Sequence, residues 1–240
     1  MATLEICTGS IESIRAAARG GAQRVEICAA LEVGGLTPSM GYLANVLSQP
    51  LYNSQGERMA RHVLIRPRGG DFCYNDEEQD MIVFDIRLCK QLGAEGIVVG
   101  ALTPGGDIDI DACTRFAEAA DGMSLTFHRA FDCCRHPLEA MEEIISMGYH
   151  RILTSGQAPR AEQAIPLLRT LVKQADGRIS IMPGSGVTPA NAAQILRETG
   201  ATEIHASAKG RKSHDDVLFP GYFDTSSDIV AQISAEIAKK

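Results

Sequence analysis

Eight short apolar segments rich in β-branched residues recur along the chain, and helical patterns separate them. The segments are residues 4–7, 24–28, 62–65, 96–99, 124–127, 151–154, 179–182 and 203–206. Strands that alternate with helices form a parallel sheet, and eight such units in 240 residues fit a closed barrel better than an open doubly wound sheet. The sequence therefore predicts an α/β protein with a (β/α)8 (TIM) barrel fold.

The connections between these segments carry helix start signals. Thr37-Pro38 and Thr188-Pro189 each place a capping hydroxyl before a proline, and His136-Pro137 is a weaker version. The polar stretch 52–58 is interpreted as an enlarged loop between a helix and a strand. No Pro/Gly/Ser-rich linker divides the chain, so residues 1–240 are expected to form one domain, with a C-terminal helix at about 226–240.

The composition argues against several classes of partner. A net charge of −7 and the lack of any long Lys/Arg run give no footprint for nucleic acid or an anionic membrane. No apolar run reaches membrane-spanning length and no secretory leader is apparent, so a cytoplasmic location is expected. The seven cysteines, which include the adjacent pair Cys133-Cys134, are expected to be reduced thiols.

The first two segments share the pattern Glu-Ile-Cys, with Glu5 and Cys7 in one and Glu26 and Cys28 in the other. Residues two apart on a strand point to the same face, and neighbouring strands lie about 5 Å apart, so these four side chains are candidates for one site. Two thiolates at that spacing suit a soft ion such as Cu(I). The alternative is that both cysteines are small apolar core residues.

Glu5 and Glu26 need a partner, because a carboxylate inside a barrel is costly unless it is paired or holds a ligand. Arg66, at the end of the third segment, is the partner we expect. Arg66 is also suited to a carboxylate or phosphate ligand, so an internal salt bridge and an anion site both remain open.

The fifth segment ends in His128, which is followed by Arg129 and Asp132. His128 shares the inward parity of its strand and titrates in a range suited to acid–base chemistry, which makes it the best catalytic candidate. The alternative is a structural, hydrogen-bonded histidine. His205, near the end of the eighth segment, is expected across the barrel mouth from it.

The loops after the last two strands are rich in glycine and small polar residues. Gly184 and Gly186 follow the seventh segment, and Ser207 follows the eighth, where barrels frequently bind phosphate through backbone amides. Ser155, after the sixth segment, adds a nearby hydroxyl. The alternative is that the glycines only permit tight turns, and they do not complete the nucleotide fingerprint G-x-G-x-x-G.

Several of these stretches together resemble the CutC family. The resemblance extends from residue 4 to about 207, whereas residues 209–225 look shorter than their family counterpart, and it is carried by residues 26–30, 34–39, 65–74, 126–132 and 153–156. It implies a (β/α)8 barrel, a cytoplasmic location, homo-oligomers and a role in copper homeostasis through Cu(I) binding. The two cysteines that the family is proposed to use for copper match Cys7 and Cys28.

Two hypotheses follow. The first is a copper-binding barrel in which the thiolates of Cys7 and Cys28 hold Cu(I), a function that requires no catalytic step. The second is an enzyme that acts on a small phosphorylated or carboxylated molecule, which Arg66 and the loop 184–186 would hold while His128 or Glu26 moves protons. Replacement of Cys7 and Cys28 by serine separates the two hypotheses, because a copper-binding protein should depend on the thiols and the enzyme should tolerate their loss.

Overall fold

The computed structural model describes residues 2–212 and 223–239. Nine strands belong to the main sheet: β1 (Thr3–Thr8), β2 (Arg24–Ile27), β3 (Leu51–Tyr52), β4 (Arg58–Leu64), β5 (Gly96–Val98), β6 (Ser124–Phe127), β7 (Arg151–Thr154), β8 (Ser180–Pro183) and β9 (Glu203–Ala206). β10 (Lys209–Lys212) and β11 (Phe223–Thr225) form a separate antiparallel pair.

Eight α-helices lie in the described part of the chain and connect these strands. They are α1 (Ile11–Arg19), α2 (Met40–Leu47), α3 (Asp76–Gln91), α4 (Ile110–Ala119), α5 (Pro137–Ser146), α6 (Ile165–Ala175), α7 (Ala192–Thr199) and α8 (Ser227–Ala238). Within residues 2–212 and 223–239, no helix combines the length and the apolar character that crossing a bilayer requires.

Eight parallel strands form a nearly closed barrel. The hydrogen-bonded path runs β8-β7-β6-β5-β4-β2-β1-β9, and β8 and β9 lie side by side at its two ends. All eight predicted segments coincide with these strands, so the predicted (β/α)8 barrel is confirmed. The predicted loop at 52–58 is wrong in part, because β3 pairs antiparallel with the start of β4 and makes this stretch a hairpin.

The apolar core lies between the barrel and its helices. Leu4 and Ile6 of β1 are fully buried there, as are Ile82 and Ile86 of α3. The inward positions of the same strands are largely polar, and Glu5, Arg24 and His62 are among them. Alternation along each strand therefore sends aliphatic side chains outward and leaves the barrel interior for charged groups.

The helix start signals were partly wrong. α5 begins at Pro137 as predicted, but α2 begins at Met40 with Ser39 as its N-cap, and α7 begins at Ala192. The hydroxyl of Thr37 accepts a hydrogen bond from the amide of Arg66 at 2.9 Å and is therefore not available as a helix cap.

The C-terminal helix packs against α1, the first helix of the barrel. Gly20, directly after α1, approaches Val230 of α8 so closely that a β-carbon at this position would lie 2.8 Å from the carbonyl oxygen of Ser227. The predicted helix at 226–240 is present as α8 and forms part of the barrel wall. Most of the segment 209–225, which looks shorter than its family counterpart, lies outside the described residues.

We expect Gly20→Ala to lower the free energy of unfolding by about 1–3 kcal/mol, because the added methyl group overpacks the contact between α1 and α8. Gly41→Ala is the matched control. Gly41 lies in α2 with no atom within 4 Å of its added β-carbon, so alanine should raise stability by about 0.5–1 kcal/mol. Urea unfolding measures both, and equal effects of the two substitutions would contradict this packing.

Candidate functional site

The register of three adjacent strands builds the centre of the site. β1 lies between β9 and β2, with Glu5 opposite His205 and Cys7 opposite Glu26. These positions share one inward parity, so their side chains meet inside the barrel near the carboxyl ends of the strands.

Cys7, Glu26 and His205 form a cluster at the base of the barrel mouth. One potential ligand atom of each residue, the thiol sulfur, a carboxylate oxygen and an imidazole nitrogen, lies within 4.8 Å of the other two. The Nε2 atom of His205 is 3.8 Å from Oε2 of Glu26. Sulfur, nitrogen and oxygen at this spacing offer a mixed ligand set for a transition-metal ion.

Glu5 lies one layer deeper and holds His205 in place. Its Oε1 is 2.8 Å from Nδ1 of His205, and its Oε2 accepts a hydrogen bond from Arg24. The expected pairing of Glu5 with Arg66 is therefore wrong. Arg24 is directly opposite Glu5 in the register of β1 and β2, whereas Arg66 lies two residues beyond the end of β4.

A network of charged residues below Glu5 fills the barrel interior. Arg24 also pairs with Glu203, and Nε of Arg151 is 2.6 Å from Glu203. The sequence analysis did not single out Arg24, Arg151 or Glu203. The two-residue alternation of side chains along a strand could have found Arg24 and Glu203. Arg24 is two residues before Glu26 on β2, and Glu203 is two before His205 on β9.

Burial and neighbouring charges shift the pKa values of Glu5, Glu26 and His205 in different directions. Burial alone would raise the pKa of Glu5, but Arg24 and His205 outweigh it and hold this pKa well below its usual range. Burial raises the pKa of Glu26 to about 7, although the charge of His205 opposes it. Burial would lower the pKa of His205, but hydrogen bonds with Cys7 and Glu5 raise it well above its usual value. Glu5, behind the cluster, is therefore an ionised carboxylate, whereas Glu26, within the cluster, titrates near neutrality.

Cys28 lies beside the cluster, in a more apolar setting. It is almost completely buried and packs with Leu64 and Val98. Its thiol donates a weak hydrogen bond to the backbone carbonyl of Glu26 at 3.8 Å, and burial raises its pKa well above the usual range. The uncharged thiol is therefore the stable form of Cys28 in the metal-free protein.

A cavity of about 510 Å³ opens above these residues. Its base is formed by Cys7, Glu26, Cys28 and His205. Apolar side chains supply much of its wall, namely Leu31, Leu64, Phe72, Leu153, Val187 and Ile229. A concave, mainly apolar pocket with a few convergent polar groups is typical of a small-molecule site.

Arg66 lines this cavity, but most of its guanidinium is bonded to the backbone. Its Nη1 donates to the carbonyls of Val33 and Gly35 at 3.0 and 3.2 Å, and its Nη2 donates to Gly70 at 2.7 Å. The guanidinium also lies over the ring of Phe72, 4.8 Å from its centroid. Arg66 therefore braces two loops and contributes positive charge to the cavity wall.

His128 also lines the cavity and is almost fully buried. Its Nδ1 accepts a hydrogen bond from the amide of Ala130 at 3.3 Å, and its ring centroid is 4.9 Å from that of Phe72. Burial, helped by the charge of Arg66, lowers its pKa to about 3. His128 is therefore a neutral imidazole at physiological pH, and His205, which also lines the cavity, lies at its base.

Arg129, Asp132 and Ser155 form a separate brace between two loops at the mouth. Nε of Arg129 is 2.8 Å from Asp132, and its Nη2 donates to the hydroxyl of Ser155 at 3.0 Å. Asp132 also accepts hydrogen bonds from the amides of Ser155 and Gln157. Of the three braced residues, Arg129 lines the cavity.

The glycine-rich loop after β8 closes another side of the mouth. Gly186 and Ser207 line the cavity, and Gly186 has a φ of +71°, which favours glycine. Gly184 is required for packing, because a β-carbon there would lie 2.6 Å from Cδ1 of Leu153. This geometry accounts for the two glycines as turn and packing residues; their predicted role in phosphate binding stays a prediction.

The fold and the site together define a class: a (β/α)8-barrel protein whose mouth presents thiol, imidazole and carboxylate groups to a cavity. Comparisons with known proteins place it more narrowly. Residues 2–210 match the sequence model of the CutC family.

Related proteins agree with that match. A family protein CutC from Pasteurella multocida is 45% identical over 207 residues, which cover 86% of this chain and 82% of that protein. The human copper homeostasis protein cutC homolog is 44% identical over 209 residues, 87% of this chain and 74% of that protein. A CutC crystal structure from Streptococcus agalactiae has a TM-score of 0.80 at 32% identity and covers 86% of this chain and 99% of that one. The chain belongs to the CutC family.

The low pKa of His128 predicts an acid-sensitive contribution to stability. Because its folded-state pKa of about 3 lies below the unfolded value of 6.5, this contribution is complete above about pH 6.5 and is lost as the pH falls toward 3. We expect the wild-type protein to lose on the order of 1 kcal/mol per pH unit in this window relative to His128→Phe. Urea unfolding at several pH values measures the difference. The same slope in both proteins would show that His128 is not held neutral; His136→Phe, at an exposed histidine, is the control.

Proposed function

We propose that this CutC-family protein binds Cu(I) at the base of its cavity, with the sulfur of Cys7 and Nε2 of His205 as the first two ligands. The observation that carries the proposal is the cluster of Cys7, Glu26 and His205 within 4.8 Å. Cu(I) favours soft sulfur ligands, and imidazole is an accepted second ligand. The names of relatives, which refer to copper homeostasis, support the choice of metal.

Cys28 is proposed as the second sulfur ligand. It lies two residues beyond Glu26 on the same face of β2, so its side chain and that of Cys7 face the same cavity. Its thiol is protonated in the apolar environment, and a bound cation would replace that proton. This arrangement keeps both cysteines of the original hypothesis and adds His205 to them.

The contact between Glu5 and His205, one layer below the cluster, is further support for a metal site. A metal-binding histidine commonly donates its other ring N–H to a carboxylate, which fixes the tautomer and the ring orientation. Here Nδ1 of His205 faces Glu5 at 2.8 Å, so Nε2 is the nitrogen directed toward Cys7 and Glu26. A bound cation would replace the proton that the raised pKa of His205 keeps on Nε2 in the metal-free protein.

The arginines near the site are no obstacle to a cation. Arg24 pairs with Glu5 and Glu203, and Arg129 pairs with Asp132, so their charges are balanced locally. The proposal places this copper binding in the cytoplasm and in a homo-oligomer, as the family resemblance implies. The net charge of −7 supports the absence of nucleic-acid and membrane partners.

An anaerobic Cu(I) titration against a competing chelator tests the thiol ligands. We expect Cys7→Ser to lose tight, stoichiometric binding and Cys28→Ser to weaken it, because a hydroxyl oxygen is a poor ligand for Cu(I). Cys133→Ser removes an exposed thiol that does not line the cavity and should bind as the wild type does. Unchanged affinity in the Cys7→Ser/Cys28→Ser double variant would refute the site.

The supporting role of Glu5 is tested by Glu5→Gln, which keeps the shape and one hydrogen-bond acceptor but removes the charge. We expect a loss of about 10–100-fold in Cu(I) affinity, the usual effect of losing a carboxylate behind a metal-bound histidine. Glu12→Gln, on the exposed face of α1, is the control. A circular dichroism melt of each variant separates loss of metal from loss of fold, and a folded Glu5→Gln with wild-type affinity would contradict this role.

A further inference from the structure

The cavity is larger than a copper ion requires. Small-molecule sites commonly occupy about 300–1,000 Å³, and this cavity measures about 510 Å³. The candidate metal ligands come from β1, β2 and β9 and lie at its base. The wall that contains Phe72 and His128 follows β4 and β6, which continue the strand path on the far side of β2 from β1 and β9, and copper binding does not explain it.

His128 contributes an unpaired hydrogen-bond donor to this wall. Its Nδ1 accepts a hydrogen bond from the amide of Ala130, so a neutral ring carries its proton on Nε2. Nε2 is buried and has no hydrogen-bond partner among the described residues. A buried donor without an acceptor costs free energy, which an acceptor atom on a bound ligand would recover.

The surroundings of His128 favour a ligand with an apolar body. Phe72 lies against both His128 and the guanidinium of Arg66, with centroid distances of 4.9 and 4.8 Å. Leu153 and Val187 line the same cavity. A ligand at this wall would therefore place apolar surface against an aromatic ring and aliphatic side chains.

The charge of the lining favours an anion. Arg66, Arg129 and Lys209 line the cavity, whereas Glu26 is the one carboxylate among its described lining residues. The charge of Arg129 is balanced by Asp132, so the buried guanidinium of Arg66 is the charge that favours an anion. The terminal nitrogens of Arg66 are directed to backbone carbonyls, and its Nε, like Nε2 of His128, is buried without a hydrogen-bond partner among the described residues. Arg66 therefore contributes mainly its charge. The buried positive charge of Arg66 attracts a carboxylate or a phosphate.

We propose that the cavity binds a small organic anion, whose carboxylate or phosphate oxygen accepts a hydrogen bond from Nε2–H of His128 and whose apolar body packs on Phe72. This site is distinct from the copper ligands and does not depend on bound metal. It assigns His128 as a ligand-binding residue and gives the upper part of the cavity a function.

The test is isothermal titration of the metal-free protein, in the presence of a chelator, with benzoate, phenyl phosphate and inorganic phosphate. We expect saturable binding of benzoate or phenyl phosphate, weakened about tenfold or more in His128→Phe, which keeps a flat ring but removes the donor. His128→Gln carries an amide N–H near the position of Nε2 and should restore much of the affinity. His136→Gln, at an exposed histidine, is the control.

The outcomes separate the sources of the anion. Binding of benzoate alone identifies a carboxylate ligand, and binding of phenyl phosphate alone identifies a phosphate ester. Failure of all three probes to bind, or equal affinity in wild type and His128→Phe, would overturn the proposal. Either failure would leave the Cu(I) proposal standing, since every titration is made without metal.

The tautomer of His128 can be measured independently of the binding titrations, first in the ligand-free protein and then with the bound probe. Nitrogen-15 NMR of labelled histidine should show a neutral ring with its proton on Nε2 from about pH 5 to 8. The chemical shift of Nε2 should move on addition of the bound probe. A neutral ring with its proton on Nδ1 would remove the donor on which the site rests.

Discussion

The site depends on one buried carboxylate. Glu5 is fully buried inside the barrel, where an unpaired charge would be strongly destabilising. Arg24 balances that charge, and His205 uses its Nδ1 to contact Glu5, which leaves Nε2 directed toward Cys7 and Glu26. Glu5 therefore links the charged interior of the barrel to the ligand cluster above it. The orientation of His205, and with it the proposed copper site, follows from this pairing.

The cavity combines two chemical environments that the sequence presented as rivals. Soft ligands for a metal lie at its base on β1, β2 and β9, and a neutral imidazole with nearby positive charge lies on the wall after β4 and β6. The proposed copper site and the proposed organic-anion site thus draw on different residues of one mouth. The arginines that argued against a cation are either paired with carboxylates or bonded to carbonyls.

Local sequence was a good guide to strands and a poorer guide to pairings. His128 and Arg66 were both expected at the mouth, and both line the cavity. The partner of Glu5 was missed because a salt bridge between strands depends on register, and register is set by neighbours distant in sequence. Asp132 likewise proved to brace the loop after β7, through contacts some 23 residues away along the chain.

The sequence by itself determined the (β/α)8 barrel, because apolar alternation and helix periodicity are properties of short segments. It also determined which residues point inward, since parity along a strand is fixed by the backbone, and this placed Glu5 with Cys7 and Glu26 with Cys28 on inward faces. The contact of His205 with Cys7 and Glu26 came from the structure. Only the tertiary structure decided that Arg24 pairs with Glu5, that Arg66 is bonded to loop carbonyls and that Nε2 of His128 is left without an acceptor. These facts depend on which strands and loops become neighbours when the barrel closes, and the packing of the whole chain sets that arrangement.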